Sequence, residues 1–343
     1  MLRKRKKADY ERYETNRSPF AQNPTQQEVA ALLGETRDDL RRLVSYREQF
    51  IIRRDIEANG KTRKLAYPVG RLRAAHERMK FHLNKIMQPS YLFSPRKGRG
   101  QRDNAMLHLN QDQYLTMDLK QFYPSTTVAM VRNWLKLELG VYDDVAGLLA
   151  KLSCVDGKVS FGSPLTPVLC TMVHRKMFDE IASICATGSL RYSVWVDDLT
   201  ISGATLPGRV VDEIREVIRK YGLKSHKIHY HMGNGVVYIT GIGVVGSNLV
   251  APNSQNLKLR DLWTEYYTGD EKDLFGLTQA LLSKLGTVRH ISGPSSILGQ
   301  KAANQMNSLR QKRDKLARKQ SGASTGPIVF ASDEEASKHD VAF

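Results

Sequence analysis

Residues 193–203 read SVWVDDLTISG, two short apolar runs on either side of the adjacent acids Asp197 and Asp198. Apolar runs of that length broken by a polar pair are the pattern of a β-hairpin with carboxylates at its tip. Hairpin tips commonly carry Asn, Gly or a single Asp, and two neighbouring anions repel unless a cation lies between them. Mg²⁺ would supply that cation, because it takes one or two protein carboxylates together with substrate phosphates. Standing alone, the pair reads more simply as an exposed acidic turn.

A second acidic position changes that reading. Asp118 closes the strand-like stretch YLTM at 114–117, and LKQFYPS after it reads as a turn into a helix. A strand end opposite a hairpin tip brings three carboxylates onto one sheet face. Such a cluster suits two metal ions ~3.5–4 Å apart, which activate an attacking hydroxyl and neutralise a leaving pyrophosphate. The charge agrees: 52 Lys and Arg against 35 Asp and Glu give a formal net charge of +17. An excess of that size points to a polyanionic partner, since each neutralised phosphate releases counterions.

The chain has 343 residues, 41% of them hydrophobic, which is enough for a multi-lobed globular enzyme. Its three cysteines, Cys154, Cys170 and Cys185, form no C-x-x-C pair, which argues against a zinc knuckle or disulfide framework and fits a reducing cytosol. The basic start MLRKRKKADYERYE leads into no apolar segment, and no run reaches the ~20 apolar residues that span a bilayer. A soluble, cytoplasmic protein without membrane contact is expected.

The chain turns helical at Thr25, with Gly34 as a stop and Thr36 as the cap of a second helix through Leu40, Leu43 and Val44. Asn59-Gly60 between strand-like residues predicts a tight hairpin. Leu72, Ala75, Met79, Leu83 and Ile86 recur at helical steps. Further helices are expected over 128–137, within 166–185, and over 208–221, 257–267, 273–285 and 300–319, with an extended run over 236–245. The last stretch is rich in Ser, Ala, Gly and acids, has no periodic apolar face, and reads as disordered.

In this order the signals resemble a reverse transcriptase, and within that group most closely the retron enzymes. TMDLKQFYPS resembles motif A, FGSPLTPVL the Q-G-x-x-x-S-P segment of motif B, SVWVDDLTISG the Y-x-D-D of motif C, and SHKIHYH motif D. KTRKLAYP followed by GRLRAAHERM resembles the fingers segment. NAMLH (Asn104, Ala105, His108) matches the retron N-A-x-x-H signature, and ITG (Ile239, Thr240, Gly241) resembles their V-T-G with one conservative change. The resemblance covers about residues 28–318. Three positions depart from the pattern: Phe161 stands where Gln is usual, Trp195 where Tyr is usual, and Thr171 where Asn is common.

The resemblance implies an α+β right-hand polymerase: fingers, a palm with an antiparallel sheet, and a helical thumb. Its expected divisions are a flexible basic arm over 1–24, fingers with N-terminal helices over 25–113, a palm over 114–245 that includes fingers residues at about 128–165, a basic thumb over 246–319, and a disordered tail over 320–343. Asp118, Asp197 and Asp198, with the backbone carbonyl of Leu119, are implied to hold two Mg²⁺ ions, with Mn²⁺ as a substitute. Arg63, Lys64, Gln121, Phe122, Tyr123, Phe161, Gly162 and Lys227 are implied to contact the nucleotide. Tyr123 would stack under the incoming sugar, and Lys227 would lie near the leaving pyrophosphate. Trp195, Asn104, His108, Thr240 and Gly241 are assigned to primer and template.

In the thumb, Lys258, Arg260, Lys284, Arg289, Arg310, Lys312 and Arg313 are assigned to RNA binding, with Trp263, Tyr266 and Tyr267 interleaved. The implied reaction is reverse transcription of a dedicated structured noncoding RNA (msr–msd) from dNTPs into branched msDNA, in anti-phage defence beside a separate effector protein. No effector domain is expected here, because polymerase and tails use up the 343 residues. The rivals are another bacterial reverse transcriptase, of the group II intron, abortive-infection or diversity-generating type, and a non-catalytic RNA-binding scaffold. The intact carboxylates argue against the scaffold.

Overall fold

A computed structural model describes residues 11–58, 60–270 and 272–321. They divide into two compact units between Asn248 and Leu249. In the first unit, helices α1 (Gln26–Leu32) and α2 (Arg37–Ser45) start where the sequence places their caps. Thr25 accepts from the Glu28 N–H while the Glu28 carboxylate accepts from the Thr25 N–H, a complete capping box. Strands β1 (Ile51–Ala58) and β2 (Lys61–Pro68) pair antiparallel up to Ala58 opposite Lys61, a two-residue loop as expected. Gly60 supplies a φ of +68°; Asn59 lies outside the described residues.

Helix α3 (Gly70–Asn84) buries Leu72, Ala75, Met79 and Leu83 along one stripe. Then follow β3 (Leu92–Ser94), α4 (Gln101–Leu107), β4 (Gln113–Leu119), α5 (Phe122–Ser125), α6 (Val128–Leu137) and α7 (Asp143–Ser153). The expected 166–185 helix is two, α8 (Thr166–Val173) and α9 (Arg175–Thr187), broken at His174. The buried His174 Nε2 bonds Thr126 Oγ1 at 3.0 Å, so the break serves a buried polar contact. The unit continues with β5 (Arg191–Trp195), β6 (Asp198–Gly203), α10 (Gly208–Lys220), β7 (Ser225–Met232), β8 (Val237–Ile239) and β9 (Ile242–Val245).

The central sheet runs β3-β5-β6-β4-β7, antiparallel except for the β3–β5 pair, and its two faces differ. Strand alternation sends Leu115, Met117, Leu119, Tyr192, Val194, Leu199 and Ile201 into one core with Phe178, Ile181, Ile214 and Ile218. Each such side chain contributes about 1.5–3 kcal/mol on burial. The other face carries Tyr114, Thr116, Asp118, Asp198, Thr200, Ser202 and Ser193, set side by side by the registers of β4, β5 and β6.

One expectation needs correction. Residues 11–24 do not form a free arm: Tyr13 exchanges backbone hydrogen bonds with Lys85 (3.0 Å) and Met87 (2.9 Å), and Phe20 is buried edge-on to His82. The segment is aperiodic because it docks through single side chains rather than a helix face. Residues 1–10 and 322–343 lie outside the described residues, so the rest of the arm and most of the expected tail are not described.

The second unit holds α11 (Asn253–Thr268), α12 (Leu274–Ser292) and α13 (Ile297–Ser321), packed around Tyr266, Leu281, Leu285, Ala302, Met306 and Leu309. Among the described residues no helix is long and apolar enough to cross a membrane.

Candidate metal and nucleotide site

Asp118 pairs directly with Asp198 across the β4–β6 ladder, and Asp197 sits in the two-residue turn between β5 and β6. One carboxylate oxygen from each of the three lies within 4.8 Å of the others. That turn is strained. Val196 has φ +59° at the first loop position, where a type II′ turn normally takes glycine and a β-branched residue costs of order 1–3 kcal/mol. It is held from both sides: Val196 N donates to Ser94 O (3.0 Å), and Leu119 N donates to Asp197 O (2.9 Å).

Three anions so close disturb one another. Burial, then the charges of Asp198 and Asp118, push Asp197 up to about 7. Asp198 keeps an exposed edge, yet the protein around it and Asp118 raise it to about 6, with Lys227 opposing. Hard oxygen donors at this spacing, crowded enough to hold protons near neutrality, fit a divalent cation.

A β-bulge aims a histidine and a lysine at the cluster. Thr116 pairs with His229 and Asp118 with His226, so β7 has one residue more than β4 across this stretch. Lys227, the extra residue, has φ +51°. His226 Nδ1 lies 2.8 Å and Lys227 Nζ 3.2 Å from the same Asp118 Oδ2. A cleft of about 220 Å³ beside them is lined by Asp118, Asp198, Thr200, Lys227, His229 and the turn residues Thr240 and Gly241.

Nucleotide-side residues from the sequence divide. Tyr123 is half-buried, its phenol pushed up by burial and then by the nearby Cys170 and Asp197, and its ring meets Phe161 edge-on at 5.1 Å. Gly162 is exposed at φ +100°, and a Cβ there would lie 2.8 Å from Tyr67 Cβ. Gln121 caps α5 in the left-handed region (φ +50°). Phe122 is a correction: its side chain is core, packed on His174 and Phe178, so only its backbone can face a nucleotide. Arg63 and Lys64 are neighbours on β2 and therefore point to opposite faces, so they do not form one clamp.

Primer and template assignments also divide. Trp195, half-buried, stands opposite Asp198. Asn104 and His108 are 1% and 0% exposed, which removes both from any nucleic-acid surface. His108 instead ties together β5 and β6, the strands that flank the Asp197 turn, with Nδ1 2.7 Å from Ser202 Oγ and Nε2 2.8 Å from Ser193 Oγ. Burial, and secondarily Arg191, lower its pKa to about 3 and keep it neutral. Asn104 reaches Thr240 Oγ1 at 3.5 Å, joining the N-A-x-x-H and I-T-G segments across 136 positions.

In the second unit Lys258, Arg260, Arg310 and Lys312 are exposed. Lys312 lies over the Tyr266 ring at 4.6 Å. Lys284, Arg289 and Arg313 are half-buried; Lys284 binds Gln255 and Arg313 binds Asp314, while the exposed Arg260 and Arg310 bind Asp261 and Asn307. His226, His229 and His231, all on the Asp118 face of β7, escaped the sequence reading of individual residues. Their spacing of three then two hides the strand period, because the bulge falls between the first pair.

No family model matches the chain. It is 27% identical over 252 residues to the retron Mx65 reverse transcriptase of Myxococcus xanthus, covering 64% of this chain and 58% of that relative. It is 26% identical over 124 residues to the retron Ec86 reverse transcriptase of Escherichia coli, covering 36% and 38% respectively. The matched stretches thus span less than two thirds of these relatives' lengths. Among solved structures, a Candida albicans telomerase in complex with a telomeric RNA fragment aligns at TM-score 0.44 and 11% identity, over 77% of this chain and 56% of that one. A foamy viral protease–reverse transcriptase in complex with double-stranded DNA aligns at TM-score 0.43 and 12% identity, over 85% and 44%. Several retron reverse transcriptases match at this level, and their similarity supports a retron-type reverse transcriptase.

Proposed function

We propose that this chain is an RNA-directed DNA polymerase that copies a structured noncoding RNA into DNA by two-metal nucleotidyl transfer. The observation that carries the reading is the cluster of Asp118, Asp197 and Asp198 within 4.8 Å, at a strand end and a hairpin turn. These side chains, with the Leu119 carbonyl, would hold two Mg²⁺, or Mn²⁺ in their place. Ions bound there favour ionisation of the attacking hydroxyl and offset the charge of the leaving pyrophosphate. Lys227, beside Asp118, would donate to that pyrophosphate. Tyr123 forms the floor under the incoming sugar, and one of Arg63 and Lys64 meets the triphosphate. Thr240, Gly241 and Trp195 border the primer terminus.

By family, the template is an msr–msd RNA, priming uses a guanosine 2′-hydroxyl, the product is branched msDNA, and the setting is defence against phage with a separate effector. Exposed Lys258, Arg260, Arg310 and Lys312 would grip A-form duplex by phosphate charge and shape. The test is extraction of nucleic acid from cells carrying the gene with its flanking DNA. A short DNA linked to RNA, absent with Asp197→Asn, supports the reading. Its absence from wild-type cells that contain the protein and transcript counts against the retron product.

A further inference from the structure

Phe161 stands where the family pattern has glutamine, so a polar side chain is replaced by one with no hydrogen-bonding atom. Its main chain is fixed by the β2 strand: Ala66 N donates to Phe161 O at 3.1 Å, and Leu65 forms a parallel bridge with it. The residues on either side are fixed too. Ser160 Oγ donates to Ala66 O (2.9 Å) and Thr166 Oγ1 donates to Ser160 O (2.7 Å). Gly162 turns at φ +100° against Tyr67.

The Phe161 ring, held this way, leans edge-on against Tyr123 with centroids 5.1 Å apart and planes at 65°. Tyr123 also meets Phe122, with centroids 5.7 Å apart and planes at 41°, and Phe122 is itself packed on Phe178 and His174. The Tyr123 ring is therefore in contact with both a core aromatic and one carried by the β2-docked segment. It also lies close enough to Asp197 to feel its charge. Edge-to-face contact fixes ring orientation more narrowly than a flexible amide would.

We propose that Phe161 is a specificity-determining positioning residue, which holds the Tyr123 ring where it meets the 2′ position of the incoming sugar. Discrimination against ribonucleotides then rests on the aromatic pair rather than on Tyr123 alone. Because the Phe161 backbone is bonded into β2, the strand that carries Arg63 and Lys64, triphosphate contact and sugar selection share one support. The proposal rests on the polymerase reading above.

The test is single-nucleotide incorporation on a primed RNA template with Mg²⁺, giving kcat/KM for dGTP and rGTP. Wild type is compared with Phe161→Gln, Phe161→Ala and Phe161→Tyr. Loss of one edge-to-face contact predicts a two- to tenfold lower dGTP-over-rGTP preference in the Gln and Ala variants, about what such a contact is worth. Most of the change should lie in a lower KM for rGTP, and the tyrosine variant, which keeps the ring, should stay within about twofold of wild type. Gln is the residue usual at this position, so that variant should fold even where Ala does not. An unchanged preference in an active Gln variant, or an equal loss in the Tyr variant, overturns the inference alone. Failure of the wild-type protein to add either nucleotide overturns the polymerase reading and this inference with it.

Discussion

His226 Nδ1 lies 2.8 Å from Asp118 Oδ2, so a histidine on β7 supports a carboxylate of the candidate metal site. The contact requires the β7 bulge, which sets His226 rather than Lys227 opposite Asp118. Supporting bonds of this kind fix which oxygen a metal meets, and their loss typically weakens metal binding about 10–100-fold. His226→Ala should raise the Mn²⁺ concentration for half-saturation by at least about tenfold, read by electron paramagnetic resonance of free Mn²⁺. An unchanged binding curve would remove His226 from the site.

Without metal, the acidic cluster should make stability fall as pH rises. Asp197 and Asp198 are raised to about 7 and about 6 from 3.8, so the folded state keeps protons that the unfolded chain has released. Their contribution is therefore absent near pH 4, grows increasingly destabilising through pH 7, and is constant above. Asp197→Asn should melt a few degrees higher than wild type at pH 8 in EDTA, and the gap should close towards pH 4. Mg²⁺ should raise the melting temperature of wild type at pH 8 more than that of the variant. Equal melting at both pH values would contradict the crowded cluster.

His108 predicts a stability effect instead of a nucleic-acid one. Its ring bridges Ser193 and Ser202, so His108→Ala leaves two buried hydroxyls unpaired and opens a cavity, costing about 2–5 kcal/mol in denaturant unfolding. The sign with pH also follows. The folded ring stays neutral down to about 3, whereas the unfolded one binds a proton below 6.5, so the advantage of wild type over the variant shrinks as pH falls below 6.5. A stable His108→Ala protein with weakened RNA binding would restore the surface role.

The carboxylates and both hairpins were legible because their signals are local: alternation, turn residues and a strand end. Side-chain destinations were not. Asn104 and His108 stand out in the sequence, but only the packing of α4 against the sheet shows them to be internal ties. Phe122 and Tyr123 are adjacent, and nothing local says that one is buried in the core and the other left half-buried beside Phe161. Between Pro167 and Cys185 the stretch has no glycine or proline to mark a break, and His174, where the break falls, meets a partner, Thr126, 48 positions away. The bulge that gives β7 its role arises from pairing with β4, which no reading of β7 alone contains.

The most direct measurement is primer extension by the purified protein on an RNA template with labelled dNTPs and Mg²⁺, beside Asp118→Asn and Asp197→Asn. DNA synthesis that needs the RNA template and metal, with at least about a thousandfold loss in each variant and RNA binding retained, is the predicted result. Synthesis undiminished in either variant, or none from the wild-type protein, would contradict a metal-dependent polymerase centred on these aspartates.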